Sequence, residues 1–307
     1  MIETLKLKKK FMKGIISIFS MPQELEDLAQ TLERLKRNSI YVVDKFEYKV
    51  EITMCLSDEL TDWKNSKLPK EYFEERAQEL CEKYLDWCSY ECVIEETSKV
   101  LGCVSQRRYS LKNNPDADFF IWLDSDILFK DITLYYISSA YEMIKANGIN
   151  DFIVTPQFVK QWDNTWDIVT NKNYWNKSIN YHLQSDIYQD SLPHLEDIEV
   201  KEINNFKFAG GWFTLLSKSL LDKTDVPESF GHYGLEDTYI MWCCELMKQK
   251  GKIVSQFILE NLIVGEIHKS RTNNTIKKFI SSKDKKLEFK QIAEDNFEKE
   301  LNLFNNR

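Results

Sequence analysis

The chain has 307 residues, of which 43% are hydrophobic, 13% aromatic and 29% charged. That is enough to bury a large core, and the mix rules out a disordered or fibrous protein. A net charge of −8 at pH 7 excludes a broad nucleic-acid surface, which needs clustered Lys and Arg set against phosphates. No apolar run is long enough to span a bilayer, and seven cysteines in irregular spacing suit a reducing compartment better than a disulfide framework.

In chain order, "KGIISIFS" reads as a buried strand. Pro22 then opens a helical pattern in which Leu25, Leu28, Leu32 and Leu35 recur at helical spacing. "YKVEITMCLSDEL" gives a second strand and "PKEYFEERAQELCEKYLDWC" a second helix. A third helix is expected over "ETSKVLGCVSQRRYSLKN", followed by the strand "DADFFIWL", the helix "ITLYYISSAYEMIKANG" and the strand "DFIVTP". Such alternation predicts a mixed, mainly parallel sheet with helices on both faces, an α/β fold whose ligands bind at the carboxyl ends of its strands. Residues 157–205 break the rhythm and read as a functional insertion. Order returns at "NFKFAGGWFTLLSKSLL", passes through "PESFGHYGLEDTYIMWCCELMKQKG" and ends at His268; residues 269–307 read as a polar tail with a terminal helix. The chain is therefore expected to be one domain over 1–268 plus that tail.

Only Gly14, of nine glycines, lies before Gly102. Neither a G-x-G-x-x-G nor a P-loop can follow an early strand, so a phosphate ligand would have to be held by a metal and basic side chains. Two D-x-D triplets flank "FFIWL". Asp116 and Asp118 precede the strand, where turn-forming Asp is common. Asp124 and Asp126 follow it, at the ligand edge, and two carboxylates so close call for a compensating cation. Mg²⁺ or Mn²⁺ suits oxygen ligands.

The ordered set "FIWLDSD", "FAGGWFTLLSK", "GHYGLEDTYIMWC" and a strand ending in His268 resembles the GT-A nucleotide-sugar glycosyltransferases, most closely the inverting family 2 and bacterial chondroitin-synthase-like enzymes, over residues 13–268. The resemblance implies a GT-A (Rossmann-like) fold and a hexosyltransferase. Such an enzyme moves a sugar from a nucleoside-diphosphate sugar, a UDP-sugar in the first instance, to a glycan, lipid-linked or protein acceptor. It implies Asp124, Asp126 and His268 as ligands of Mn²⁺ (or Mg²⁺), Asp237 as general base and Glu236 as its acceptor-holding neighbour. Ser57, Asp58, Arg107, Arg108, Asp124, Ser125, Gly210, Gly211 and Trp212 fall at donor-binding positions. "LSDELTDW" departs from the family's nucleobase motif and leaves the base open.

Trp162 and Trp166, four residues apart, could stack on an acceptor sugar or pack in the core. Basic stretches at both ends could touch a membrane surface; a cytoplasmic protein, peripheral to the membrane at most, is expected. A sugar nucleotidylyltransferase and a non-catalytic carbohydrate-binding module are the competing readings, the first disfavoured by the missing early glycines.

Overall fold

The computed structural model describes residues 11–57, 63–97, 102–159, 197–203, 211–232, 234–266 and 283–307. The described residues form a mixed sheet of nine strands covered by helices on both faces. Its first half alternates β1 (Met12–Ser20), α1 (Leu25–Ser39), β2 (Phe46–Ser57), α2 (Lys70–Tyr84), β3 (Ser89–Thr97), α3 (Cys103–Asn113) and β4 (Phe119–Asp124). Then follow β5 (Ile127–Leu128), α4 (Thr133–Ala146), β6 (Asp151–Val159), β7 (Glu199–Ile203), β8 (Phe213–Ser217) and α5 (Lys218–Thr224). α6 (Glu236–Gln249), β9 (Val254–Glu266) and α7 (Lys283–Asn305) complete the order.

Strand order is β3-β2-β1-β4-β8-β6-β9-β5, with β7 also paired to β9. The β3-β2-β1-β4 half is all parallel, whereas β8 runs antiparallel to both β4 and β6. Side chains of neighbouring strand residues go to opposite cores, as a period of two requires. Ile16, Ile18, Phe119, Ile121 and Leu123 pack with α1, α2 and α4; Ile15, Phe120 and Trp122 pack with α3, α5, α6 and α7. Burial on both faces is why "FFIWL" is apolar without alternation. The four leucines of α1 are all at most 3% exposed. Gly14 is required by close packing: a Cβ there would lie 2.6 Å from the Phe119 ring.

The sequence places a helix from Glu96, but residues 89–97 form β3 and the helix begins at Cys103. All seven cysteines are free; Cys55, Cys81, Cys243 and Cys244 are buried, and Cys88, Cys92 and Cys103 are half-buried. The expected insertion gives up its ends to β6 and β7; Trp162 and Trp166 within it lie outside the described residues, as do Asp58, Gly210 and His268.

β1 leads through α1 to β2 on one side, while β4 pairs with it on the other. The chain's direction of winding thus reverses between β1 and β4. A parallel sheet opens its ligand crevice at the carboxyl ends of such a pair, and Phe19 is in register with Asp124 there.

Candidate active site

β4 ends at Asp124 and β8 begins just after Trp212, and the two meet through a hydrogen bond from the Asp124 N–H to the Trp212 carbonyl, 3.3 Å. Facing them from α3 is Arg107, 6% exposed. Its guanidinium donates to Glu236 Oε1, to Asp124 Oδ1 at 3.4 Å and to the Gly211 carbonyl at 3.4 Å, and it lies 4.6 Å from the centre of the Trp122 ring. A Cβ on Gly211 would fall 1.7 Å from Arg107 Nη2. Gly211 thus makes room for this guanidinium. Cys103 adds a contact from its Sγ to Glu236 Oε1 at 3.6 Å.

One guanidinium therefore ties the end of β4, the turn before β8 and the first turn of α6. Burial works against its charge, yet Glu236, Cys103, Asp124 and Asp237 hold its pKa above the usual arginine value. The carboxylates are not fully balanced. Burial pushes Asp124 up to about 7, with Asp126, Glu24 and Glu236 adding to the rise against the opposing pull of Arg107. Burial likewise pushes Asp237 up to about 7, Glu236 reinforcing it while Arg107 and the Thr238 N–H oppose it. The Thr238 N–H donates to Asp237 Oδ1 at 2.6 Å. Asp237 sits in the first turn of α6, directly after two residues of left-handed backbone, Gly234 (φ 98°) and Leu235 (φ 67°). A leucine held there is strained, and such strain persists where the surroundings enforce it.

The two D-x-D triplets separate cleanly. Asp116 is exposed and pairs with Lys13, 2.9 Å, while Asp118 Oδ2 accepts the Lys13 N–H at 2.8 Å. Both tie down the amino end of β1. Asp124 keeps 36% of its side chain exposed and Asp126 is buried at 3%. Between them, Ser125 turns inward and donates its hydroxyl to Glu24 Oε2 at 2.7 Å.

Of the remaining donor positions, Ser57 closes β2 fully buried, and Trp212 packs into the core on the α1 face. Arg108 turns away from Arg107, donating to the Pro227 carbonyl at 3.4 Å and lying 3.9 Å from Glu228.

Sequence reading misses the residues that set the acidic turn. Thr31 donates to the carbonyls of Ser125 and Ile127 at 2.8 and 3.2 Å. Arg34 donates to the Phe129 carbonyl at 2.8 Å. Asn38 donates to the Lys130 carbonyl at 3.0 Å and accepts the Leu134 N–H at 2.9 Å. All three are buried. Their spacing puts them on one stripe of α1, beside its leucines, so polar residues inside an apolar helix face were the available signal. Ser105 and His232 Nδ1, 2.6 Å apart, were also missed.

Among the described residues no group of three or more His, Cys, Asp or Glu is arranged to hold a metal ion. No family model matches the chain, and no curated protein matches it. Among solved structures, S. aureus TarS 1–349 in complex with UDP-GlcNAc is 14% identical, with a TM-score of 0.48 over 83% of this chain and 58% of that one. The same protein in complex with UDP is 13% identical, with a TM-score of 0.49 over 92% and 70%. GalNAc-T7 with UDP, GalNAc and Mn²⁺ is 9% identical, with a TM-score of 0.42 over 84% and 44%. The chain spans 58% and 36% of the length of the first two TarS chains it matches. Likenesses this distant assign no residue a role.

Replacing Arg107 by Met should leave the buried Glu236 carboxylate unpaired and cost about 3–5 kcal/mol. Adding Glu236→Gln should return a large part of that loss. Urea unfolding of the two single variants and the double variant checks this coupling.

Proposed function

We propose that the chain is a nucleotide-sugar glycosyltransferase of the GT-A kind, dependent on a divalent cation and inverting at the anomeric carbon. The observation that carries this reading is the convergence, at the winding reversal of the sheet, of Asp124, Glu236 and Asp237 around Arg107, with Asp126 beside Asp124. An acidic crevice of this sort repels a bare diphosphate but accepts one that arrives with a cation.

The residues present fit such a cation. Asp124 and Asp126 offer hard oxygen donors, and burial, reinforced by Asp126, Glu24 and Glu236 against the pull of Arg107, raises the pKa of Asp124, so a cation there would favour its charged form. Asp124 and Asp126 would hold Mn²⁺ or Mg²⁺, with His268, outside the described residues, as the proposed third ligand. When bound, the cation would supply charge neutralisation to the departing nucleoside diphosphate.

The chain's own groups divide the remaining work. Asp237 takes the proton of the acceptor hydroxyl as that oxygen bonds to the sugar, and a carboxylate whose pKa lies near 7 is well matched to that exchange. Glu236 keeps Arg107 fixed and so orients the first turn of α6. Gly211, and Gly210 before it, line the donor side together with Arg107 and Ser57. Arg108, which turns toward Pro227 and Glu228, and Asp58, outside the described residues, are proposed as further donor contacts, and Trp162 and Trp166 are proposed to stack on the acceptor. A UDP-sugar is the proposed donor and a glycan, lipid-linked or protein hydroxyl the acceptor. No described helix is long and apolar enough to cross a membrane; contact with a membrane surface through the basic ends belongs to the same proposal.

Turnover of a panel of nucleotide sugars should need Mn²⁺ or Mg²⁺ and stop with chelator. Asp126→Ala should abolish it while Asp116→Ala leaves it nearly unchanged, because the first triplet only anchors β1. Unchanged turnover in chelator, or greater damage from the Asp116 change, would reject the assignment.

Asp237 should also set the pH dependence. Its pKa in the folded protein is raised to about 7, so the base form appears only as pH rises through that value, and kcat should climb between pH 6 and pH 8 by about tenfold or less. Asp237→Asn should lower transfer by roughly 10²-fold with donor binding intact. The same shift makes this acid a source of stability below about pH 4 that is lost as pH rises through about 7. Asp237→Asn should therefore raise Tm more at pH 8 than at pH 5. A flat pH profile in the wild type, or full activity in Asp237→Asn, would remove Asp237 from the base role.

A further inference from the structure

The segment 227–237, which delivers Glu236 and Asp237 to the crevice, is held from two sides. From α3 come the contacts of Ser105 with His232 and of Arg107 with Glu236, together with Lys112 donating to Glu228 at 3.2 Å. From the other side comes α7, the helix that sequence reading assigns to a polar tail.

Phe289, Ala293, Phe297 and Phe304 are each at most 8% exposed and form one buried face of α7. Phe297 stacks on Phe230 with ring centres 6.1 Å apart and planes 15° from parallel. It meets Tyr239 edge-on at 6.3 Å, and Phe230 and Tyr239 meet edge-on at 5.2 Å. The Ser229 hydroxyl donates to Glu300 at 2.6 Å, and Ile292 Cγ2 lies 3.7 Å from where a Cβ on Gly231 would sit. Phe230 comes just before the strained stretch and Tyr239 two residues after Asp237. Phe297 therefore wedges between the two ends of the segment whose left-handed residues are Gly231, Gly234 and Leu235. Such backbone keeps one conformation only when its flanks are fixed.

The donor half is built differently. Asp124 ends β4, Asp126 lies in the turn after it and Gly211 in the turn before β8, and the turn after β4 is gripped by Thr31, Arg34 and Asn38 of α1. The aromatic and hydrogen-bond contacts of Phe297 and Glu300 described above are with 229, 230 and 239.

We propose that α7 is a brace for the acceptor half of the site, with Phe297 and Glu300 as positioning residues that hold Asp237 in place for proton transfer. This rests on the transferase reading above. A misplacement of about 1 Å at a reacting group costs on the order of 10²-fold in rate, so a loosened brace acts on kcat without touching the donor.

The test compares wild type with Phe297→Ala, Phe297→Leu and Glu300→Gln, the last two serving as milder variants in case the first unfolds. Hydrogen exchange should accelerate at amides 231–238 and stay unchanged at 123–128. Transfer kcat should fall by about tenfold or more in Phe297→Ala and less in Phe297→Leu, with the calorimetric Kd for a UDP-sugar in Mn²⁺ the same as wild type. A lower Tm with kcat and the exchange of 231–238 unchanged would reduce α7 to a plain packing helix and overturn the brace. Equal loss of donor affinity and acceleration of exchange in both halves would overturn its selectivity. A wild type that binds and turns over no nucleotide sugar would reject the transferase reading and, with it, the role in proton transfer, while the exchange of 231–238 would still decide whether α7 holds the loop.

Discussion

The site depends on a charge problem with a single local answer. Arg107 is buried at the meeting point of α3, β4, β8 and α6, with Asp124 and Glu236 against its guanidinium and a ring of Trp122 beneath it. A buried arginine is tolerable only when its donors are matched, and buried carboxylates only when something positive faces them. Each requirement fixes the other's position. Gly211 follows from the same constraint, since any side chain there would occupy the guanidinium's place. Burial, reinforced by neighbouring carboxylates, still holds Asp124 and Asp237 up at about 7 against the pull of Arg107.

Around this centre the fold divides its labour by face. α1 lies on one side of the sheet and uses a polar stripe to fix the backbone of the acidic turn, so the direction of Asp124 and Asp126 is set by carbonyls that cannot wander. Glu24 secures Ser125 and accepts the Met21 N–H at 3.1 Å, tying the same turn to the end of β1. On the opposite side α3, α6 and α7 set the segment that carries Asp237. The two sides of the crevice thus come from opposite layers of the sandwich.

The sequence reveals elements whose burial is one-sided or complete. The leucines of α1 and the apolar run of β4 are unmistakable because helix and strand periods are written into them. β3 is hidden because none of its described residues is buried: it is an edge strand, and "SYECVIEET" alternates acids with small apolar residues that could equally begin a helix. β7 is hidden for the same reason, with Glu199, Lys201 and Glu202 of "EVKEI" exposed and the other two half-buried. The place of the second triplet at the carboxyl end of β4, and of the first at its amino end, was legible from the apolar run between them. Arg107 was legible as a site residue, but its bond to Glu236, 129 positions away, was not, since nothing local records a partner so distant. The polar stripe of α1 was readable in principle, yet only the topology shows that β5 and its flanking turn run past it.

The most direct test of the crevice as a metal and donor site is the electron paramagnetic resonance of Mn²⁺ titrated with the protein and UDP. The six-line signal of free Mn²⁺ should fall when wild-type protein is added with UDP, beyond the fall that UDP alone produces, and should not fall further with Asp124→Asn/Asp126→Asn. Identical binding by the two proteins would place the cation elsewhere and contradict the role assigned to the carboxyl end of β4.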